Sequence, residues 1–411
     1  MSDPVSENTS LAQQIEEARV ALAEGQFEIA AIRANVLWLE NVDNEDLIEL
    51  YADILQQSGR PEPADKIRNL LANDDQALAL FEAGFALIDV RQYDLAAMLL
   101  TECDKLTPDD PGVNYELGFS MMALGGFSQA IAYFEKAMSI QADFDSALNL
   151  SVCYLLTRDL EKSKNFTNQL SALAKEDDET KETTHRKIVL KRAESFATKK
   201  TLTAQDWLFI LYGSVLLKPH FNTATKPDDH KAIAENLLIL KGFFEGMRQE
   251  IEVIEYYNTQ SRPLARVLSE IMEITLDSYK GPNRPENVLL VMNWASDIIG
   301  PHQSFIDNSD KRLIFAYGLP GAEPLPLVPD ISAYLCSQDL MPWNDVTKAD
   351  ADMHFNKILD QARNMESDPE IIKAVEDLLI YFEPRKKDLV MGNSESFPDR
   401  PEYSAEIPVI K

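Results

Sequence analysis

The chain has little cysteine, little histidine, little glycine and almost no clustered positive charge. Its three cysteines, Cys103, Cys153 and Cys336, are an odd number and lie far apart in 411 residues. That argues against a disulfide framework and against a structural zinc site. None of the five histidines, His185, His220, His230, His302 and His354, is spaced as a metal-ligand pair with a cysteine or another histidine, so no metal is expected. The glycines build no Gly-x-x-x-x-Gly-Lys-Ser/Thr phosphate loop, and Gly281, Gly300, Gly318 and Gly321 have the wrong spacing for a dinucleotide fingerprint. There is no Gly-x-Ser-x-Gly elbow near the candidate turn discussed below. No cofactor is expected, and no motif names a catalytic residue.

Positive charge is equally sparse. Lysine and arginine number 39 against 68 aspartates and glutamates, a formal net charge of −29. Such a field repels nucleic-acid phosphate and anionic membrane, and the longest basic run, Arg385-Lys386-Lys387, is too short to offset it. Neither partner is expected. The first ten residues lack the basic start and apolar run of a secretory signal. The longest apolar run, Trp207 to Leu217, is too short to span a bilayer. The expected compartment is the cytoplasm. Hydrophobic residues make up 45% of the chain, enough to build two or three cores.

What is present is a repeat. Leu80-x-x-Ala83-Gly84-x-x-Leu87 is followed by Ala96-x-x-x-Leu100 and then Pro108. The pattern returns 34 residues later as Asn114-x-x-Leu117-Gly118-x-x-Met121, then Ala130-x-x-x-Phe134-x-x-Ala137, with Gly125-Gly126 between. Small residues stand where two helices must touch, and larger apolar residues at three- and four-residue spacing fill the rest. Weaker copies flank these two. Upstream are Tyr51-Ala52, Leu55 and Ala64, and before them Ala18, Ala21 and Ala30; downstream are Leu150-Ser151, Tyr154 and Ser163.

This pattern resembles the tetratricopeptide repeat, whose signature is Trp-x-x-Leu-Gly-x-x-Tyr…Ala-x-x-x-Phe…Pro at the same period. The resemblance spans residues 11–175 in about five units. It implies an α-solenoid in which stacked helical hairpins share one core. It also implies that the first helix of each unit lines a concave groove. That face carries Phe81, Phe85 and Ile88, then Tyr115, Phe119 and Met122, then Leu148, Val152 and Leu155. A strip of aromatics and methionine suits an apolar helix or extended peptide; a cover formed by the chain's own C-terminal region is the competing reading. Members that bind chaperone tails grip a carboxylate with basic and amide residues from this face. Here those places hold Phe81, Phe85, Tyr115 and Phe119, against a carboxylate clamp. Asp46, Glu49 and Asp53 make the upstream end acidic and suited to a basic peptide.

Residues 1–10 read as a loose tail. The charged stretch 175–184 reads as a linker or the start of a longer helix. Residues 185–385 match no family pattern and read as a mainly helical domain with a few short strands around 288–317, so the fold class is mostly all-α. Thr203-Ala-Gln-Asp206 has the form of a capping box. A long helix is expected over 230–257, where Ile233, Leu237, Leu240, Phe244, Met247, Ile251 and Ile254 make a heptad-like seam. That seam serves either its own domain or a homodimer, and Gly242 and Gly246 within it would permit close approach of another helix. A further helix is expected from Ser261 to about Tyr279, a long proline-rich loop over 318–329, and helices over 347–365 and 369–383. Residues 386–411 read as an extended or disordered tail.

Two functions follow. The first is a non-enzymatic adaptor, scaffold or chaperone that buries a partner protein's segment in the groove through Phe81, Phe85, Ile88, Tyr115, Phe119, Met122 and Val152. The second is an enzyme or small-ligand module in 281–345, to which the repeats recruit a protein substrate. There Asp297 and His302 flank a Gly-Pro turn beside Trp294, an acid and a base at the edge of a pocket.

Overall fold

The computed structural model describes residues 10–72, 74–281, 287–298, 312–321, 323–343 and 347–391. The chain divides into two units, Met1–Lys187 and Ile188–Lys411.

The first unit holds five helical hairpins: α1 (Leu11–Ala23) with α2 (Phe27–Glu40), α3 (Glu45–Gln57) with α4 (Pro61–Ala72), α5 (Gln76–Asp89) with α6 (Tyr93–Leu106), α7 (Pro111–Ala123) with α8 (Phe127–Ile140), and α9 (Phe144–Leu156) with α10 (Leu160–Leu173). All five first helices start on a cap: Ser10, Asn44, Asp75, Asp110 and Asp143 each accept a backbone N–H three residues on. Each hairpin turn needs one left-handed residue. Gly25, Gly59 and Gly125 supply it in three turns, whereas Arg91 (φ 61°) and Arg158 (φ 70°) are forced into it in the other two.

The small residues sit where two helices meet. Ala83, Leu117, Ala96 and Ala130 are fully buried. A Cβ on Gly84 would lie 2.7 Å from Leu100 Cγ, and one on Gly118 would lie 2.7 Å from Phe134 Cδ1. First helices of adjacent hairpins also touch, α1 with α3, α5 with α7 and α7 with α9, which sets them along one face. The region is a tetratricopeptide-like array.

The second unit corrects the mainly helical expectation. Between helices it carries a six-stranded, wholly parallel sheet, β1 (Val215–Leu216), β2 (Val253–Tyr256), β3 (Thr275–Ser278), β4 (Val288–Trp294), β5 (Leu313–Pro320) and β6 (Ile331–Cys336), in the order β1-β6-β5-β4-β2-β3. Its helices are α12 (Ala204–Tyr212), α13 (His230–Met247), α14 (Arg262–Met272), α15 (Lys348–Met365) and α16 (Pro369–Phe382), while α11 (Asp177–Glu194) spans the division between units. The charged stretch after residue 175 is therefore the beginning of a helix. The capping box of Thr203 and Asp206 forms as expected.

The long helix expected over 230–257 ends early, because Arg248 turns left-handed at φ 52°, and Ile254 is strand. The helix expected to reach Tyr279 likewise ends at Glu273 (φ 57°), and β3 follows. The seam residues Ile233, Leu237, Leu240, Phe244 and Met247 are buried. Gly242 and Gly246 do admit another helix: a Cβ on Gly242 would lie 2.7 Å from Val375 of α16, and one on Gly246 would collide with Leu379. The proline-rich loop is shorter than expected, since β5 runs to Pro320 and β6 starts at Ile331. Residues 386–391 are not an extended tail. A 3-10 helix, Glu383–Asp388, leads to buried Leu389 and Val390, and Val390 N–H donates to Gly213 O at 3.0 Å. The rest of that tail lies outside the described residues.

The sheet core is apolar on both faces, as a parallel sheet requires. Some of its polar exceptions are paired. Arg312 and Glu255, both fully buried, meet at 2.8 Å, and Arg312 also donates to Gly281 O at 2.7 Å. Asp330 accepts the Ile314 N–H at 2.7 Å.

Candidate functional site

The first candidate is the first-helix face of the repeats. Phe85 is 44% exposed and Phe81 half-buried, with their rings stacked at 6.5 Å. One repeat on, Tyr115 and Phe119 are half-buried. Tyr115 packs on Phe134 at 5.6 Å, and Phe119 meets Tyr93 edge-on at 6.2 Å. Ile88 is partly buried against the core. Met122 and Val152 are buried and support this face rather than line it. Asn149 donates to the Tyr115 hydroxyl at 3.3 Å, tying the third such helix to the second.

Acid groups run beside these rings. Glu116 lies next to Tyr115 on α7, and burial together with the charge of Asp89 raises its carboxyl to about 7. Burial and the charges of Asp143 and Glu179 raise Asp145 as well. The acidic end expected at Asp46, Glu49 and Asp53 is matched by cations instead. Arg19 reaches Asp46 at 3.3 Å, and Arg68 reaches Asp53 at 2.8 Å and Glu49 at 3.7 Å.

The second candidate lies at the carboxyl edge of the parallel sheet. Trp294 ends β4, half-buried, with its ring against Gly318 of β5. Asp297 closes a 3-10 turn, Ala295–Asp297, and accepts from Asn258 Nδ2 at 3.2 Å, a residue just beyond β2. Burial raises its carboxyl despite that hydrogen bond. His302 lies outside the described residues.

The fold assembles further groups here that no local spacing announces. Gln260 O accepts from Asn293 Nδ2 at 3.1 Å and from Trp343 Nε1 at 3.0 Å. The Trp343 ring packs on His354 at 4.6 Å, and His354 Nδ1 meets His230 Nε2 at 2.9 Å. These histidines are 124 residues apart, so sequence could not pair them. Burial lowers both imidazoles; His354 and Lys357 charges lower His230 further, and Lys357 does the same to His354. Asp229 caps α13 through Ala232 N at 2.8 Å, and Asp228 accepts from the Tyr317 hydroxyl at 2.6 Å. Among the described residues no three His, Cys, Asp or Glu side chains are grouped to hold a metal. The three cysteines are buried, and no disulfide joins them. No described helix is long and apolar enough to cross a membrane.

No protein-family model matches the chain. No curated protein matches it. Solved structures do match, over the helical repeat region. MamA of AMB-1 is 17% identical, covering 40% of this chain and 98% of its own, with a TM-score of 0.27. PilF of Pseudomonas aeruginosa is 19% identical, covering 45% of this chain and 84% of its own, with a TM-score of 0.29. TTC0263, a tetratricopeptide-repeat protein of Thermus thermophilus, is 14% identical, covering 45% of this chain and all of its own, with a TM-score of 0.28.

Proposed function

We propose that the repeat unit is a docking module for a partner protein, and that the first-helix face of α5, α7 and α9 receives an extended or helical segment of it. The observation that carries this reading is the half-open aromatic row of Phe81, Phe85, Tyr115 and Phe119. A few aromatic anchors of this kind dominate the affinity of such surfaces. Glu116, Asp89 and Asp145 beside the row favour a segment that carries lysine or arginine among its apolar residues. A cation placed there would relieve the crowding of like charge around Glu116. The fit is to a protein segment, in an adaptor, scaffold or chaperone role.

The test is selection of peptides from a random displayed library on the full chain. Selected peptides should combine apolar residues with lysine or arginine, and should bind the Phe85→Ala/Phe119→Ala variant at least tenfold more weakly. Equal binding to a folded double variant would remove the groove from the account.

A second reading concerns the α/β unit as a small-ligand module. It is favoured by the meeting of Asn258 and Asp297 at the ends of two neighbouring strands.

A further inference from the structure

The order of the sheet singles out one place. After β2 the chain turns through α14 to β3 on one side, while β4 lies on the other side of β2 and leads on to β5. Where consecutive connections diverge in this way, an open parallel sheet leaves a crevice at the carboxyl ends of its strands, and ligands bind there. Here that point is the gap between the ends of β2 and β4.

One buried acceptor at this point lacks a hydrogen-bond donor. Asn293, the penultimate residue of β4, is 2% exposed. Its Nδ2 donates across the gap to Gln260 O at 3.1 Å, which holds the amide head between the two strand ends. Its Oδ1 is buried without a hydrogen-bond partner. A buried acceptor left unpaired is costly, and in native proteins it usually finds a donor. Asp297 accepts from Asn258 Nδ2, and a carboxylate has acceptor sites beyond that one. Asp339, beyond β6, lies close enough for Asp297 to act on its charge.

This set discriminates among ligands. Phosphate or carboxylate would face Asp297 and Asp339 and be repelled. A divalent cation needs more oxygen ligands than are gathered among the described residues. A neutral group offering two adjacent O–H donors would satisfy the amide oxygen and the carboxylate together. We propose that the crevice between the ends of β2 and β4 binds a vicinal diol, that of a sugar ring or of a ribose, with its hydroxyls donating to Asn293 Oδ1 and Asp297. The indole of Trp343 shares Gln260 O with Asn293 and fixes that amide in place; Trp343 is a positioning residue. This inference rests on the second reading above and is independent of the repeat groove.

The experiment is saturation-transfer NMR on the full chain, followed by titration, with four probes: adenosine, methyl α-D-mannopyranoside, 2′-deoxyadenosine and spermidine. One of the two diol probes should bind, and which one does identifies ribose or pyranose as the source. If adenosine binds, 2′-deoxyadenosine should bind at least tenfold more weakly. Asp297→Ala, with its melting temperature checked against the parent, should weaken the diol at least tenfold. Asn293→Ala should do the same if it folds, and Asp297→Ala carries the test if it does not. Equal binding of adenosine and its deoxy analogue, or a diol affinity unchanged in Asp297→Ala, overturns the proposal. Binding of spermidine alone overturns the diol while leaving a ligand module, and no binding by any probe removes both.

Discussion

Gly118 of α7 lies against the face of Phe134 of α8, so closely that a Cβ on the glycine would fall 2.7 Å from the ring. Gly84 and Leu100 repeat the relationship one unit earlier, again at 2.7 Å. The close approach of the two helices of a hairpin is fixed by these pairs. A branched side chain at either glycine must push the helices apart or force its neighbour off-rotamer. Gly118→Val is expected to destabilise the repeat unit by about 2–3 kcal/mol. Gly126→Ala, at the hairpin turn where only the flexible Gln129 side chain and the Met121 carbonyl are near, should cost less. Urea unfolding of the two variants checks the order.

Arg91 gives a change of the opposite sign. It holds φ 61° in the α5–α6 turn, where Gly125 holds φ 78° in the turn of the next repeat. Arg91→Gly removes a side chain from a left-handed position, a relief of up to about 1 kcal/mol that is partly offset by the greater chain entropy of glycine. The expected result is a melting temperature equal to or a few degrees above the parent. A drop of several degrees would show that Arg91 makes contacts that outweigh its strain.

Glu116 should make the repeat unit pH-dependent. Its folded carboxyl is raised to about 7 by burial and by Asp89, above its ordinary 4.5. The folded state therefore holds the proton more tightly, and stability falls as pH rises from about 4.5 through 7. Glu116→Gln should be more stable than the parent at pH 8, by roughly 1 kcal/mol once solvent screening is allowed for. The two should converge at pH 4.5 and below. Melting curves across that range decide it. A bound cationic segment should reverse the shift, so that peptide affinity rises with pH through 7.

The α/β unit should respond in the other direction. His230 and His354 meet at 2.9 Å with both imidazoles held below 6.5, by burial first, then by Lys357 at both and by His354 at His230. Asp229 acts against this at His230, and Asp350 does so at His354. Lowered histidines favour the unfolded state once protons are available, so stability is lost as pH falls through 6.5. His354→Gln should flatten that loss. An unchanged acid limb in the variant would assign it to other groups.

The buried pair of Arg312 and Glu255 supplies a further stability test. Glu255→Ala takes an ion-pair partner from a guanidinium that no water reaches, and is expected to cost up to about 3–5 kcal/mol. Glu255→Met combined with Arg312→Met should recover part of that loss, because an apolar pair of similar volume removes both of these buried charges. Denaturant midpoints of the single and double variants make the comparison.

The repeats were legible because each unit restates the same packing rule: glycine at 84 and 118, alanine at 96 and 130. The sheet was not. A parallel strand buried on both faces carries no alternation, and β2 is four residues long. Ile251, just before it, and its own Ile254 continue the spacing of α13, and only the left-handed turn at Arg248, invisible in composition, separates helix from strand. The candidate sites followed the same division. Phe81, Phe85, Tyr115 and Phe119 share a face because helical spacing alone puts them there. Trp294 and Asp297 were identified from a local turn, but Asn258, Asn293 and Asp339 join them only through strand order, and His230 meets His354 only through tertiary packing.

The central claim is that a partner segment lies along the aromatic row of the first helices. It is tested most directly by a photoreactive phenylalanine analogue placed at position 85 of the full chain in its native host, with the same analogue at position 106, an exposed leucine at the end of α6, as control. Illumination should join a partner protein to the chain from position 85, and an excess of a library-selected peptide should suppress the adduct, with no such adduct from position 106. Adducts of equal yield from both positions, or from position 106 alone, would contradict the account.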